Sequence, residues 1–218
     1  PPYVYLTDSK GGGAHSNIKG LAIDVIDLMM QRAGMPFSLN VVPVKRGLIM
    51  AGAQENTCIF PIERSQEKEV KFTWVSPVII SRYALFKKKD SVSKRIKTLT
   101  DALPYTVGSY LGSGMGDYLE SLGFKVDYAS DNIANLKKLN VNRIELWASD
   151  VLSAKYISQV SNEPLEEPEL IFFTTLKSMA CNGTLSEKIL ERLNATLREM
   201  YRDGSIEAIH KNFTAKSL

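Results

Sequence analysis

The sequence predicts an α/β protein built from two similar units. Segments rich in β-branched and aromatic residues alternate with amphipathic segments along most of the 218 residues. A long β-rich run covers residues 78–86, the alternation restarts at Tyr105, and a second long run covers residues 170–176. We therefore expect parallel sheets covered by helices, with these two runs crossing between the units as a hinge.

The first half of the chain begins with a predicted helix. Leu21, Val25 and Met29 share one face of residues 20–32, and Gly34 ends the helix. The segments predicted after it are a strand at 37–44, a helix at 46–53, a strand at 57–61 and the long strand at 78–86.

The second half repeats this rhythm without repeating its sequence. Strands are predicted at 105–108, 125–128 and 144–148, and helices at 116–122, 132–139 and 150–160. After the run at 170–176, an amphipathic helix is predicted at 185–200 and a shorter one at 205–213. Ligands of such sheets bind at the carboxyl ends of the strands, so we expect a site in a cleft between the two units.

Composition excludes several classes of protein. The net charge is +3 and the basic residues are scattered, so we predict no nucleic-acid partner. No apolar run reaches the roughly 18–20 residues that span a bilayer. The histidines, His15 and His210, lie in no recognisable motif, and we predict no metal, no cofactor and no catalysis. Cys58 and Cys181 allow one disulfide or two buried thiols, and composition leaves both open.

Short motifs along the chain, in the same order, resemble those of the family 3 extracellular solute-binding proteins. They are Pro1–Tyr5, Gly20–Asp24, Glu63–Lys68 with Trp74–Pro77, Val107–Gly108 with Gly112–Ser113, Arg143–Asp150 and Arg202–Ile209. The resemblance covers nearly the whole chain and implies a two-lobed fold of the periplasmic-binding-protein type II. Lobe 1 would comprise residues 1–86 and 177–218, and lobe 2 residues 87–176. The family's first strand has no counterpart here, so we expect a few residues to precede Pro1 in the natural chain.

The resemblance implies a periplasmic or extracellular monomer that closes on a small polar solute. The expected solute is an amino acid or a related carboxylate, and the expected partner is the membrane permease of an ABC importer. Two alternatives remain on the same fold. One is the ligand-sensing domain of a membrane receptor, and the other is an enzyme that resembles the dehydratases of cyclohexadienyl acids.

The resemblance also implies a set of ligand-binding residues in lobe 1. Lys68 stands where the family has its carboxylate-binding arginine, and Arg64 is the alternative partner for the anion. A lysine cannot offer the bidentate fork of an arginine, so a standard amino acid fits less well. Tyr3 is expected as an aromatic wall and Arg46 at the mouth of the lobe, facing an acidic group of the solute.

Two residues are implied in lobe 2. Ser113 is expected to hold the solute carboxylate and Asp150 its ammonium group, although each could be a plain helix N-cap. In folds of this type the returning strand packs beside the third strand of the first lobe. The resemblance therefore favours a disulfide between Cys58 and Cys181.

Overall fold

The computed structural model describes residues 2–7, 17–64, 66–88, 95–111 and 113–216. Of the residues named above, Pro1, His15, Ser65 and Gly112 lie outside the described residues. The chain divides into two compact units. Unit 1 is Pro1–Ile80 with Leu176–Leu218, and unit 2 is Ser81–Thr175.

The chain enters through unit 1 and leaves it by a long strand. The elements in order are β1 (Tyr5–Leu6), β2 (Ile18–Lys19), α1 (Leu21–Ala33), α2 (Val44–Ala53), β3 (Cys58–Glu63), α3 (Gln66–Glu69) and β4 (Phe72–Phe86). The boundary between the units falls within β4, after Ile80.

Unit 2 follows, and a second long strand returns the chain to unit 1. The elements are α4 (Leu99–Ala102), β5 (Thr106–Tyr110), α5 (Gly114–Ser121), β6 (Lys125–Ala129), α6 (Asn132–Asn140), β7 (Leu146–Asp150), α7 (Val151–Ser161), β8 (Leu170–Asn182), α8 (Glu187–Arg202) and α9 (Ser205–Lys216). The second boundary falls within β8, before Leu176.

The expectation of parallel sheets is only partly correct, because the strand pairing is mixed. In unit 2, β5 is parallel to both β6 and β7, and β4 is antiparallel to β7. In unit 1, β3 is antiparallel to β8, and the short β1 is antiparallel to β2. The α/β class is thus confirmed, and parallel pairing is confined to β5, β6 and β7 among the pairs described.

The prediction of a strand at residues 37–44 is wrong. Residues 37–43 form no strand, and Val44 already begins α2. The segment has the alternating residues of a strand, but no described strand pairs with it, so it makes no ladder. Val41 is correspondingly half-exposed instead of buried.

Helix α1 packs against α8 and α9 in unit 1. Its entry depends on Gly20, because a Cβ there would lie 2.3 Å from the carbonyl oxygen of Tyr3. In the last turn of α1, the guanidinium group of Arg32 donates a hydrogen bond to the carboxylate of Asp203. Two hydrogen bonds to the carboxylate of Asp203 lower its pKa to about 2. The one from the side chain of Ser205 has the larger effect and the one from Arg32 the next largest.

In unit 2 the strands separate two apolar cores. Leu85, Val107 and Leu119 belong to one core, and Phe86 and Trp147 to the other, with their ring centroids 5.6 Å apart. Trp74 lies in a smaller core of unit 1. Both tryptophans are therefore buried in the interior of their units.

The disulfide between Cys58 and Cys181 is confirmed. The two residues are directly opposite each other in the antiparallel register of β3 and β8, with their α-carbons 4.0 Å apart. Both cysteines of the sequence are used, so the chain has no free thiol. The bond joins the part of unit 1 that precedes unit 2 to the part that follows it.

Candidate functional site

Asp150 is a buried carboxylate at the carboxyl end of β7. Its Oδ1 accepts from the backbone N–H of Ser153 at 2.9 Å and so caps α7. Its Oδ2 accepts from the hydroxyl of Ser81. The side chain is only 6% exposed, and these two donors fix its orientation within unit 2.

Ser113 occupies the equivalent place after β5. It is the N-cap residue of α5, its side chain makes no capping hydrogen bond, and it is 5% exposed. Since β5 and β7 are parallel neighbours, their carboxyl ends lie on one edge of the sheet. The structure therefore places Ser113 and Asp150 on the same edge of unit 2.

An aromatic group that the sequence analysis missed lies in the same unit. The ring of Phe173 is 5.4 Å from that of Tyr118 and 6.4 Å from that of Tyr83. Tyr83 is opposite Asp150 in the register of β4 and β7, and both Phe173 and Tyr118 are exposed. Such a group provides an apolar surface within unit 2. Only the pairing of strands brings these residues together, and no local motif announces it.

In unit 1 the guanidinium group of Arg64 is already engaged. It donates to both carboxylate oxygens of Glu69, from Nε at 2.8 Å and from a terminal nitrogen, and it lies 5.6 Å from the centre of the Trp74 ring. The hydrogen bond with Glu69 raises the pKa of Arg64, and the same bond lowers the pKa of Glu69. The bidentate fork that a carboxylate would use is therefore occupied by Glu69.

The other predicted cations of unit 1 lie on different elements. Lys68 is half-buried in α3, just beyond the end of β3, whereas Arg46 is exposed on α2. Tyr3 precedes β1, and its carbonyl oxygen accepts from the backbone N–H of Ala22 at 3.0 Å. The ring of Tyr3 contacts Lys177, whose Nζ is 5.1 Å from the ring centre.

Lys177 is a further residue that the sequence does not single out. It lies in β8, directly opposite Glu63 in β3, and its Nζ donates to Glu63 Oε1 at 3.3 Å. Finding it from sequence would require the register of two strands more than a hundred positions apart. The composition of β8 alone gives no such signal.

A cavity of about 370 Å³ also lies in unit 1. It is bordered by the segment 38–42, by β3 and by the apolar side chains of Val4, Ile18 and Ile23. None of the predicted ligand-binding residues lines it.

The described residues were also compared with the requirements of a metal site and of a membrane-spanning helix. Within them, no group of three or more His, Cys, Asp or Glu side chains is arranged to hold a metal ion. In the same part of the chain, no helix is both long and apolar enough to cross a membrane.

Comparison with known proteins gives consistent results. Residues 1–216 match the family described as bacterial extracellular solute-binding proteins, family 3. The L-cystine-binding protein TcyJ of Escherichia coli K12 is 23% identical over 218 residues, which cover 98% of this chain and 78% of that protein.

Solved structures share the fold. The second substrate-binding domain of a putative amino acid ABC transporter from Streptococcus pneumoniae superposes with a TM-score of 0.77 at 16% identity, covering 98% of this chain and 94% of that one. A histidine kinase sensor domain with similarity to periplasmic binding proteins gives 0.70 at 16% identity, covering 98% and 91%. The fold is therefore the two-lobed type II fold of periplasmic binding proteins, as predicted.

Proposed function

Because the chain belongs to the bacterial extracellular solute-binding proteins of family 3, we propose that it binds an amino acid or a related carboxylate and delivers it to an ABC importer. Units 1 and 2 are the two lobes in this proposal. The solute is released unchanged, and the protein acts as a monomer outside the cytoplasm. The Cys58–Cys181 disulfide suits an oxidising compartment.

The observation that carries the proposal is the edge of unit 2 that holds Ser113 and Asp150. A solute with an ammonium group needs a fixed anionic acceptor, and Asp150 is fixed by Ser153 and Ser81. A solute carboxylate needs donors, and Ser113 stands at the start of α5, where backbone N–H groups point outward. In the proposal these two residues bind the two charged groups of one amino acid.

In unit 1 we assign the solute carboxylate to Lys68. Arg64 remains the alternative, and a solute carboxylate would have to displace Glu69 from its fork. Tyr3 provides an aromatic wall. Arg46, which is exposed on α2, lies at the mouth of the lobe in this proposal.

A thermal-unfolding screen tests the function. We expect one class of amino acids or organic acids to raise the unfolding temperature, since a ligand at about 100 times its Kd stabilises a protein by about 2.7 kcal/mol. The panel includes cystine, arginine and glutamine, and the bound solute is recovered and identified afterwards. Absence of stabilisation by every member would contradict the proposal, and recovery of a dehydrated product would make the protein an enzyme.

The second candidate is a sensor domain of a membrane receptor. The observation that favours it is the likeness in fold to the sensor domain of a histidine kinase. Both roles use the same solute site, so binding alone does not separate them. Genes for a permease and an ATPase beside the natural gene would favour transport, and a kinase sequence in the same reading frame would favour sensing.

A further inference from the structure

The side chain of Lys177 holds a positive charge that is largely shielded from water in unit 1. It is 14% exposed, and its Nζ lies 3.3 Å from Glu63 Oε1. Glu63 is the last residue of β3, and Arg64 and the helix that carries Lys68 follow it directly. The charge of Lys177 therefore lies at the end of β3 from which two of the predicted ligand-binding residues extend.

The ring of Tyr3 covers this charge from another side. The Nζ of Lys177 is 5.1 Å from the centre of the ring, a distance at which a cation is attracted to an aromatic face. The backbone of Tyr3 is itself held, because Ala22 donates to its carbonyl oxygen at 3.0 Å. Lys177 is thus kept in place by a residue that was predicted to contact the solute.

The partners of this ion pair differ in their access to water. The side chain of Glu63 is 52% exposed, against 14% for Lys177. An exposed carboxylate can turn into water at little cost, whereas a largely shielded ammonium group gains more from an anion beside it. Another anion can therefore replace Glu63 beside Lys177 more easily than another cation can replace Lys177.

We propose that Lys177 is a specificity-determining residue of the solute site, binding an anionic group that the solute carries in addition to its α-carboxylate. Glu63 occupies this position when no solute is bound. The inference rests on the proposed function and deepens it. It assigns the protein to acidic amino acids, with Lys68 on the α-carboxylate and Lys177 on the second carboxylate.

Two variants test the exchange of anions because they act in opposite directions. Binding of glutamate and of its neutral isostere glutamine is measured by calorimetry for the wild type, Lys177→Met and Glu63→Gln. We expect the wild type to prefer glutamate. Lys177→Met lowers the ratio of glutamate to glutamine affinity by about tenfold or more, because one partner of a charge pair is lost. Glu63→Gln raises that ratio, because the competing carboxylate is gone.

A structural ion pair gives a different result. If the pair only stabilised unit 1, both variants would lower the unfolding temperature and would leave the ratio unchanged or move it in the same direction. Either outcome overturns the inference, as does a wild type that binds glutamine at least as tightly as glutamate. Failure of the proposed function is seen separately, as no stabilisation by any solute of the screen.

The chain provides a matched control. Lys155 and Glu167 form an ion pair at the same distance of 3.3 Å, but their side chains are 46% and 82% exposed. We expect Lys155→Met and Glu167→Gln to leave the affinity ratio unchanged. Lys177→Arg keeps the charge and should retain the preference for glutamate. Glu63→Gln alters an exposed side chain, so it remains informative if Lys177→Met folds poorly.

Discussion

In the proposed site, Asp150 has a structural and a binding role in one carboxylate. One oxygen caps α7 through Ser153, and the other accepts from Ser81. A charge that is already oriented needs no rearrangement when a cation arrives, so less binding free energy is lost to ordering. The capping interpretation and the ligand-binding interpretation are therefore compatible, and a substitution that keeps the cap can separate them.

Asp150→Asn is that substitution. The asparagine retains an oxygen for the N–H of Ser153, and Asn caps helices about as well as Asp. It removes the charge that an ammonium group requires. We expect the variant to lose about 2–5 kcal/mol of binding free energy, measured by calorimetry, while its unfolding temperature stays near that of the wild type.

Asp131→Asn is the control for this experiment. Asp131 caps α6 in the same way, accepting from Ala134 at 2.8 Å, and it was not predicted to contact solute. It should therefore leave the affinity unchanged. Unaltered binding by Asp150→Asn would show that Asp150 is a helix cap only, and the assignment of the ammonium position would be withdrawn.

The sequence alone picks out Ser113 and Asp150, the two candidate site residues of unit 2, but it does not pick out Lys177. Ser113 and Asp150 each follow a strand and precede a helix, which is a local pattern. Lys177 becomes a candidate only through its contacts with Glu63 on the neighbouring strand and with Tyr3 near the start of the chain. The sequence also does not predict that Arg64 binds Glu69, because several carboxylates lie near Arg64 in the sequence.

At the scale of elements, sequence periodicity predicted the helices better than the strands. α1, α6 and α7 begin and end within a residue or two of the predicted bounds, because a helix satisfies its hydrogen bonds within its own segment. A strand needs a partner, so the alternating segment 37–43 forms none where no described strand adjoins it. β8 extends beyond residue 176, its predicted end, because the residues that follow pair with β3. These paired residues are Lys177, Ser178, Ala180 and Cys181.

The disulfide acts on a unit that the chain leaves and re-enters. Cys58 and Cys181 are 123 positions apart, and all of unit 2 lies between them. In the chain-entropy treatment, closing a loop of about 100 residues contributes about 4.7 kcal/mol through the unfolded state. We expect Cys58→Ala combined with Cys181→Ala to lose about 3–5 kcal/mol of stability, measured by denaturant unfolding.

Thiol titration provides the direct check of this bond. The denatured but unreduced protein should show no free thiol, and the reduced protein two per chain. Two free thiols before reduction would contradict the disulfide. If the double alanine variant were as stable as the wild type, the bond would not be what holds the two parts of unit 1 together.

At the scale of the whole molecule, the long strands β4 and β8 connect the two units. The boundary between the units falls inside each strand, after Ile80 and before Leu176. We propose that these two crossings form the hinge and that the units are the lobes predicted from sequence. A hinge needs only a few residues to change their backbone angles, so each lobe can keep its core while the two approach each other.

Closure on a solute should make the molecule more compact. We expect small-angle scattering to show a smaller radius of gyration at saturation with the solute identified by the screen, because the lobes exclude water as they close. Asp150→Asn, measured at the same solute concentration, should keep the larger radius, since it lacks the charge that holds the ammonium group. A radius that does not change for the wild type at saturation, although calorimetry shows binding, would contradict a hinged receptor and would place the solute within a single unit.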